Sequence, residues 1–146
     1  MRMSDFEEIL PKLEGFTPVE RVLLTCSGTL EIALSAYLGE PVDVEVVEQR
    51  EDGEVISRRV RLRGRNSGRI ACEATSQVIV LDGKLKDEIL SKKIGLGQAL
   101  IKHGIRPEFQ MLDLGKTDDS FYRLYRLVAP RVVYRIKESF PRRLYD

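Results

Sequence analysis

Six runs of alternating side chains, in two sets of three, constrain this chain more than any other feature. Successive side chains of a strand point to opposite faces. In EVISRRVRLRG at 54–64, Ile56, Arg58, Val60 and Leu62 therefore share one face, and Ser57, Arg59, Arg61 and Arg63 share the other. PVDVEVVEQ alternates Val42, Val44 and Val46 with Asp43 and Glu45. The run at 69–81 collects Ile70, Cys72, Ala74, Ser76 and Val78 on a face of small side chains, which leaves space for a neighbour's bulk or for a ligand. Turn signals, EDG at 51–53 and GRNSG at 64–68, join these three. Three more runs follow near 106–115, 120–128 and 131–140, with Ala129-Pro130 as the break between the last two. Links this short impose antiparallel pairing.

Helical signals precede each set. Thr17 is placed as an N-cap, with Pro18 at the first helical position and Glu20 completing a capping box ahead of Val22, Leu23 and Leu24. Ser27-Gly28 interrupts that helix. A second one then carries Leu30, Leu34 and Leu38 on one face until Gly39 stops it. Asp82 caps GKLKDEILSK, and KKIGLGQALIKHG follows, ending at Gly104. The expected fold class is α+β, a six-stranded antiparallel sheet covered by helices on one side. With 146 residues the chain reads as a single domain over 1–146. A domain of that size buries roughly 68–70% of the surface of its unfolded chain, enough for a real core. No internal repeat is visible in the residues.

Charge excludes more than it suggests. The formal net charge is +1 and the basic residues are dispersed, which is not the footprint of a nucleic-acid binder. No apolar run reaches the roughly 18 residues of a membrane span, and the acidic start MRMSDFEEIL lacks the apolar centre of a secretion signal. A cytoplasmic protein is expected, with Cys26 and Cys72 as free thiols. These cysteines show no CxxC spacing and no clustered histidines, so no metal is expected. His103, ahead of Gly104, reads as a structural residue at a helix end.

Two charges break the strand pattern. Arg58 sits between Ile56 and Val60, on the face that should be packed. In RVVYRIKESF, Glu138 belongs to the set Val132, Tyr134, Ile136 and Phe140. A lone buried charge costs several kcal/mol, so each must be paired, solvated in a cavity, or reserved for a ligand. Either Arg58 and Glu138 form one buried ion pair, or they line opposite walls of a pocket. In the pocket reading Arg58 takes a carboxylate through two parallel hydrogen bonds, and Glu138 takes a hydroxyl or serves acid–base chemistry. A register slip of one residue would put Arg59 in the place of Arg58.

The order of LLTCSGTLEIAL, a strand pair, RRVRL, KKIGLGQALI and KESFPRRLY resembles the chorismate pyruvate-lyase family, and more closely its archaeal and mycobacterial branch of uncharacterised domains. The resemblance runs from about residue 17 to the end. It implies a six-stranded antiparallel sheet with the ligand enclosed beneath helical flaps, and a cofactor-free elimination that turns chorismate into 4-hydroxybenzoate and pyruvate. The family's ligand-binding arginine lies in an R-x-[IV]-x-L strand, matched here by Arg58, Val60 and Leu62. Its acid on the last strand matches Glu138, ahead of Pro141 and Leu144-Tyr145. The leucine of a P-L-G turn matches Leu96, with Gly95 in place of the proline, and the early contact in S-M-T falls on Gly28 of SGT. The implied roles are catalytic for Arg58 and Glu138 and substrate-binding for Gly28, Arg58, Leu96 and Glu138. Arg106 is a weaker candidate for a second carboxylate. The implied partner is a small enolpyruvyl carboxylate, with no cofactor. A non-catalytic sensor of aromatic carboxylates with the same sheet is the alternative, and a structural protein with an Arg58–Glu138 pair is a third reading.

Overall fold

The structure, a computed structural model, describes residues 1–92 and 94–146; Lys93, in the expected helical run at 92–104, lies outside the described residues. An opening helix α1 (Met3–Ile9) and a 3-10 turn (Leu10–Leu13) occupy a segment to which the sequence pattern assigns no element. Then come α2 (Pro18–Thr25), α3 (Leu30–Leu38), β1 (Val42–Asp52), β2 (Val55–Gly64) and β3 (Ile70–Val80). The same order returns as α4 (Gly83–Leu90), α5 (Leu96–Lys102), β4 (Glu108–Lys116), β5 (Ser120–Ala129) and β6 (Val132–Pro141). A short 3-10 turn, Arg142–Tyr145, closes the chain. This is the expected order of helices, three strands, helices, three strands. The halves share element order rather than residues, apart from an echo in the middle strands: I-x-R-x-V-x-L at 56–62 and F-x-R-x-Y-x-L at 121–127.

Local chemistry sets the helix ends as expected. Thr17 Oγ1 accepts from the Glu20 amide at 3.2 Å while the Thr17 amide donates to Glu20 Oε1 at 2.9 Å. Asp82 Oδ1 accepts from the Leu85 amide at 3.0 Å. Helix α3 stops at Gly39, whose φ of 72° glycine adopts at no steric cost.

All six strands pair antiparallel in the order β1-β2-β3-β6-β5-β4. Each set of three is a meander, and the two meanders join edge to edge through β3 and β6. An extra residue interrupts the register at Val47 on β1, at Ala71 on β3 and at Leu112 on β4. The bulge at Ala71 corrects one expectation. Ile70 is half-buried while Ala71 is fully buried, and the inward face of small residues holds only from Cys72 onward.

Apolar side chains of one sheet face meet the helices in two clusters. Leu23, Leu24, Leu30 and Leu34 pack with Leu62, Cys72, Phe121, Phe140 and Tyr145. Leu85, Ile89, Ala99 and Leu100 pack with Ile56, Val78, Tyr134 and Ile136. Each fully buried side chain of this kind stabilises the fold by about 1.5–3 kcal/mol. On the reverse face Arg59, Thr75, Gln77, Arg135 and Lys137 are exposed. Register at β2 thus selects Arg58, not Arg59, for the interior.

Candidate functional site

A cavity of about 130 Å³ lies between the sheet and the two helix pairs, bordering both clusters. One water needs only about 10–15 Å³ on this measure, so the space is no packing defect. Its floor is formed by the small residues Ala74 and Ser76 of β3, with Val60 and Ile136 beside them. Its roof comes from the α2–α3 loop around Gly28 and from the start of α5 around Leu96. The lining is mainly apolar, and among the described residues the charged side chains on it are Arg58, Arg123, Glu31 and Glu138.

Arg58 is 3% exposed. Its Nη2 donates to the Ile94 carbonyl at 2.8 Å, reaching from β2 to the loop before α5. Nε and Nη1 are buried and have no hydrogen-bond partner among the described residues. Burial lowers the Arg58 pKa from its usual value, while Tyr134 and Glu31 work in the opposite direction. A guanidinium keeps its charge in any such setting. The interior therefore holds a cation with donors left unused, the kind of group that takes a ligand's carboxylate.

Glu138 is likewise buried, and its oxygens are taken up. Arg123 Nε donates to Oε1 at 2.6 Å and Tyr125 Oη donates to Oε2 at 2.8 Å. Arg123 Nη1 also donates to the carbonyls of Leu24, at 3.2 Å, and Cys26, at 2.6 Å, at the end of α2. Its guanidinium lies 4.6 Å from the Tyr125 ring centroid. Burial opposes the Arg123 cation, but the charge and hydrogen bond of Glu138, together with Tyr125 and Cys26, more than offset it and leave the pKa above the usual value. Burial pushes the Tyr125 phenol well up, with the Glu138 charge adding to it, so the phenol stays a donor.

This corrects the ion-pair reading: Glu138 pairs with Arg123, not with Arg58. The reason is strand order. Glu138 stands directly across from Arg123 on β5, whereas β3 lies between β6 and the strand of Arg58. Two strand spacings put the two backbones about 10 Å apart. Arg58 and Glu138 sit at opposite ends of a floor of small residues.

Arg123 was legible and was missed. Phe121, Arg123, Tyr125 and Leu127 share one face by the parity that marks Arg58, so Arg123 is a third charge on the packed side. Glu31 was missed too. Counting back from Leu38 and Leu34 at helical spacing places Glu31 on the same stripe of α3. Its Oε2 is buried without a partner among the described residues. Burial raises its pKa, its own backbone opposes that, and Glu138 raises it further while Arg58 lowers it.

Gly95 follows from Glu31. A Cβ on Gly95 would stand 2.8 Å from Glu31 Oε2 and 3.4 Å from its carboxyl carbon. The backbone there, φ −69°, suits any residue, so the glycine is needed for space. Gly95→Ala is expected to cost about 1–3 kcal/mol by overpacking. Adding Glu31→Ala to the same chain should restore the loss, as thermal melts of the single and double variants will show.

The remaining expected site residues fall as follows. Gly28 and Leu96 line the cavity roof, and a Cβ on Gly28 would meet nothing within 4 Å, so the wall is open there. The Leu96 carbonyl accepts from Tyr134 Oη at 3.2 Å. Arg106 is exposed ahead of β4 and outside the cavity, which removes it from the candidates. His103 caps the end of α5, with Nε2 3.8 Å from Glu88 Oε1. Cys26 lines the cavity and Cys72 is buried, both as free thiols. Among the described residues no group of three or more His, Cys, Asp or Glu is placed to hold a metal. No helix there is long and apolar enough to cross a membrane.

No family model matches this chain, and no curated protein matches it.

Proposed function

We propose that this protein is a chorismate pyruvate-lyase, performing a cofactor-free elimination that yields 4-hydroxybenzoate and pyruvate. The observation that carries the reading is Arg58, a buried cation lining an interior cavity with two of its nitrogens unpartnered among the described residues. A fold tolerates such a group at several kcal/mol only where something repays it, and a ligand carboxylate does so.

In this reading the ring carboxylate of chorismate meets Arg58 in a bidentate contact through the parallel N–H groups of Nε and Nη2, the second N–H of Nη2 staying on the Ile94 carbonyl. The ring lies over Ala74 and Ser76, whose small side chains make room for it. At the far end Glu138 accepts a hydrogen bond from the ring hydroxyl. Arg123 and Tyr125 fix the position of that carboxylate, and each of its oxygens retains a lone pair for the ligand. Gly28 and Leu96 close the space above. The reaction breaks the ether bond between the ring carbon and oxygen, so that the oxygen leaves with the three-carbon fragment. The hydrogen at the hydroxyl-bearing carbon is removed as a proton, matched by the one the enolpyruvate methylene takes up, so the ring becomes aromatic. The enolpyruvyl fragment leaves and ends as pyruvate. Because aromatisation drives the reaction downhill, the protein's work is to hold the reactive conformer and exclude water.

Purified protein mixed with chorismate is expected to release pyruvate and 4-hydroxybenzoate in equal amounts, followed by a coupled pyruvate assay and by absorbance. Binding of 4-hydroxybenzoate with no pyruvate release would instead assign a non-catalytic aromatic-carboxylate domain.

A further inference from the structure

We propose that Glu31 and Arg58 together form the carboxylate cradle of this cavity, and that a ligand's carboxylate is held there with Glu31 in its protonated form. The inference deepens the lyase reading and takes its ligand class from it.

Three buried polar atoms of these two residues lack partners among the described residues: Nε and Nη1 of Arg58 and Oε2 of Glu31. Both residues line the same cavity, one from β2 and one from the first turn of α3. They lie close enough for each to feel the other's charge, yet no ion pair joins them. A carboxylate placed between them takes an N–H of Arg58 at one oxygen and, if Glu31 carries its proton, the O–H of Glu31 at the other. An ionised Glu31 would repel that carboxylate.

The surroundings favour the neutral form. Among the described residues, the titratable groups that share this cavity are Arg58 from β2, Arg123 and Tyr125 from β5, Glu138 from β6 and the Cys26 thiol beyond α2. Tyr134 of β6 lies within charge reach of Arg58. Arg123 is committed to Glu138, which leaves Glu138 as a second acidic neighbour and, among the described residues lining the cavity, Arg58 as the cation not so engaged. Burial dominates, and it raises the Glu31 pKa from its ordinary value. Gly95, which leaves the space its carboxyl occupies, keeps the acid in the cavity.

Isothermal titration with benzoate tests this between about pH 6 and 9, where the probe remains fully ionised. In the wild-type protein the Kd should weaken as pH rises through the Glu31 pKa, approaching tenfold per unit for one linked proton. Heats measured in two buffers of different ionisation enthalpy should show proton uptake over the same range. Glu31→Gln, neutral at every pH and still a donor, should give a level Kd and no uptake. A level wild-type profile without uptake, or a wild-type slope surviving in Glu31→Gln, overturns the cradle. So does a complete failure to bind benzoate. If the cradle behaves as stated while chorismate yields no pyruvate, the lyase reading falls and Glu31 stands. If pyruvate is released but the slope is indifferent to Glu31, the reverse holds.

Discussion

Arg58→Met is expected to cut kcat/KM for chorismate by about 10²–10⁴ while raising the melting temperature. The first effect comes from two charge-assisted hydrogen bonds worth about 1.5–3 kcal/mol each, at 1.4 kcal/mol per tenfold. The second follows from burial. Arg58 holds its charge in the interior with one hydrogen bond, to the Ile94 carbonyl, and two donors unmatched. Methionine is unbranched, fills a similar path and carries no charge to desolvate. Exchanging buried ionic groups for apolar ones of similar volume is neutral or stabilising by about 1–4 kcal/mol. Leaving the Ile94 carbonyl without its donor takes back about 1 kcal/mol. The balance is a gain of a few degrees, since 1 kcal/mol shifts the midpoint of a chain this size by about 3 °C. Thermal melts and pyruvate release on the same preparation test both. A melting temperature that falls by several degrees would make Arg58 a structural residue, and the ligand argument would lose its support.

That trade, stability given up at one position for binding, is why Arg58 stood out in the sequence. Alternation assigns a face, and a charge among Ile56, Val60 and Leu62 violates it. The same logic exposed Glu138, and all six strands followed from period-two patterns and turn residues. What alternation does not carry is neighbourhood. Placing Arg58 and Glu138 on the packed side says nothing of which strand lies between them. The pairing of β3 with β6 is a contact across more than fifty residues that no local signal encodes. Bulges were hidden for a related reason: an extra residue such as Ala71 looks like any other alanine until its partner strand is known. Glu31 was hidden by overlap, because LEIAL reads as an apolar helix and the acid within it passes for its exposed side. The cavity itself was half legible, in the small residues Ala74 and Ser76 that now form its floor.

Arg123 carries the opposite prediction. Arg123→Met is expected to destabilise the fold by about 3–5 kcal/mol, or roughly 10–15 °C in melting temperature. Both arginines are inward and buried, and both occupy the fourth position of the middle strand in their meander. Their partners make the difference. Removing Arg123 leaves Glu138 with a buried charge and, among the described residues, Tyr125 alone as donor, and it strips the donor from the Leu24 and Cys26 carbonyls where α2 ends. Most of the loss is assigned to the stranded carboxylate, because an unpaired buried charge costs more than an unmet carbonyl. The double variant Arg123→Met, Glu138→Leu should therefore regain most of the stability, although neither single change is mild. Urea unfolding of the four proteins closes a double-mutant cycle and measures the coupling directly. A double variant as unstable as Arg123→Met alone would show that the arginine acts chiefly by pinning the end of α2. The same cycle separates the two arginines by role: methionine at 58 should leave the protein stable and empty, and methionine at 123 should cost the fold itself.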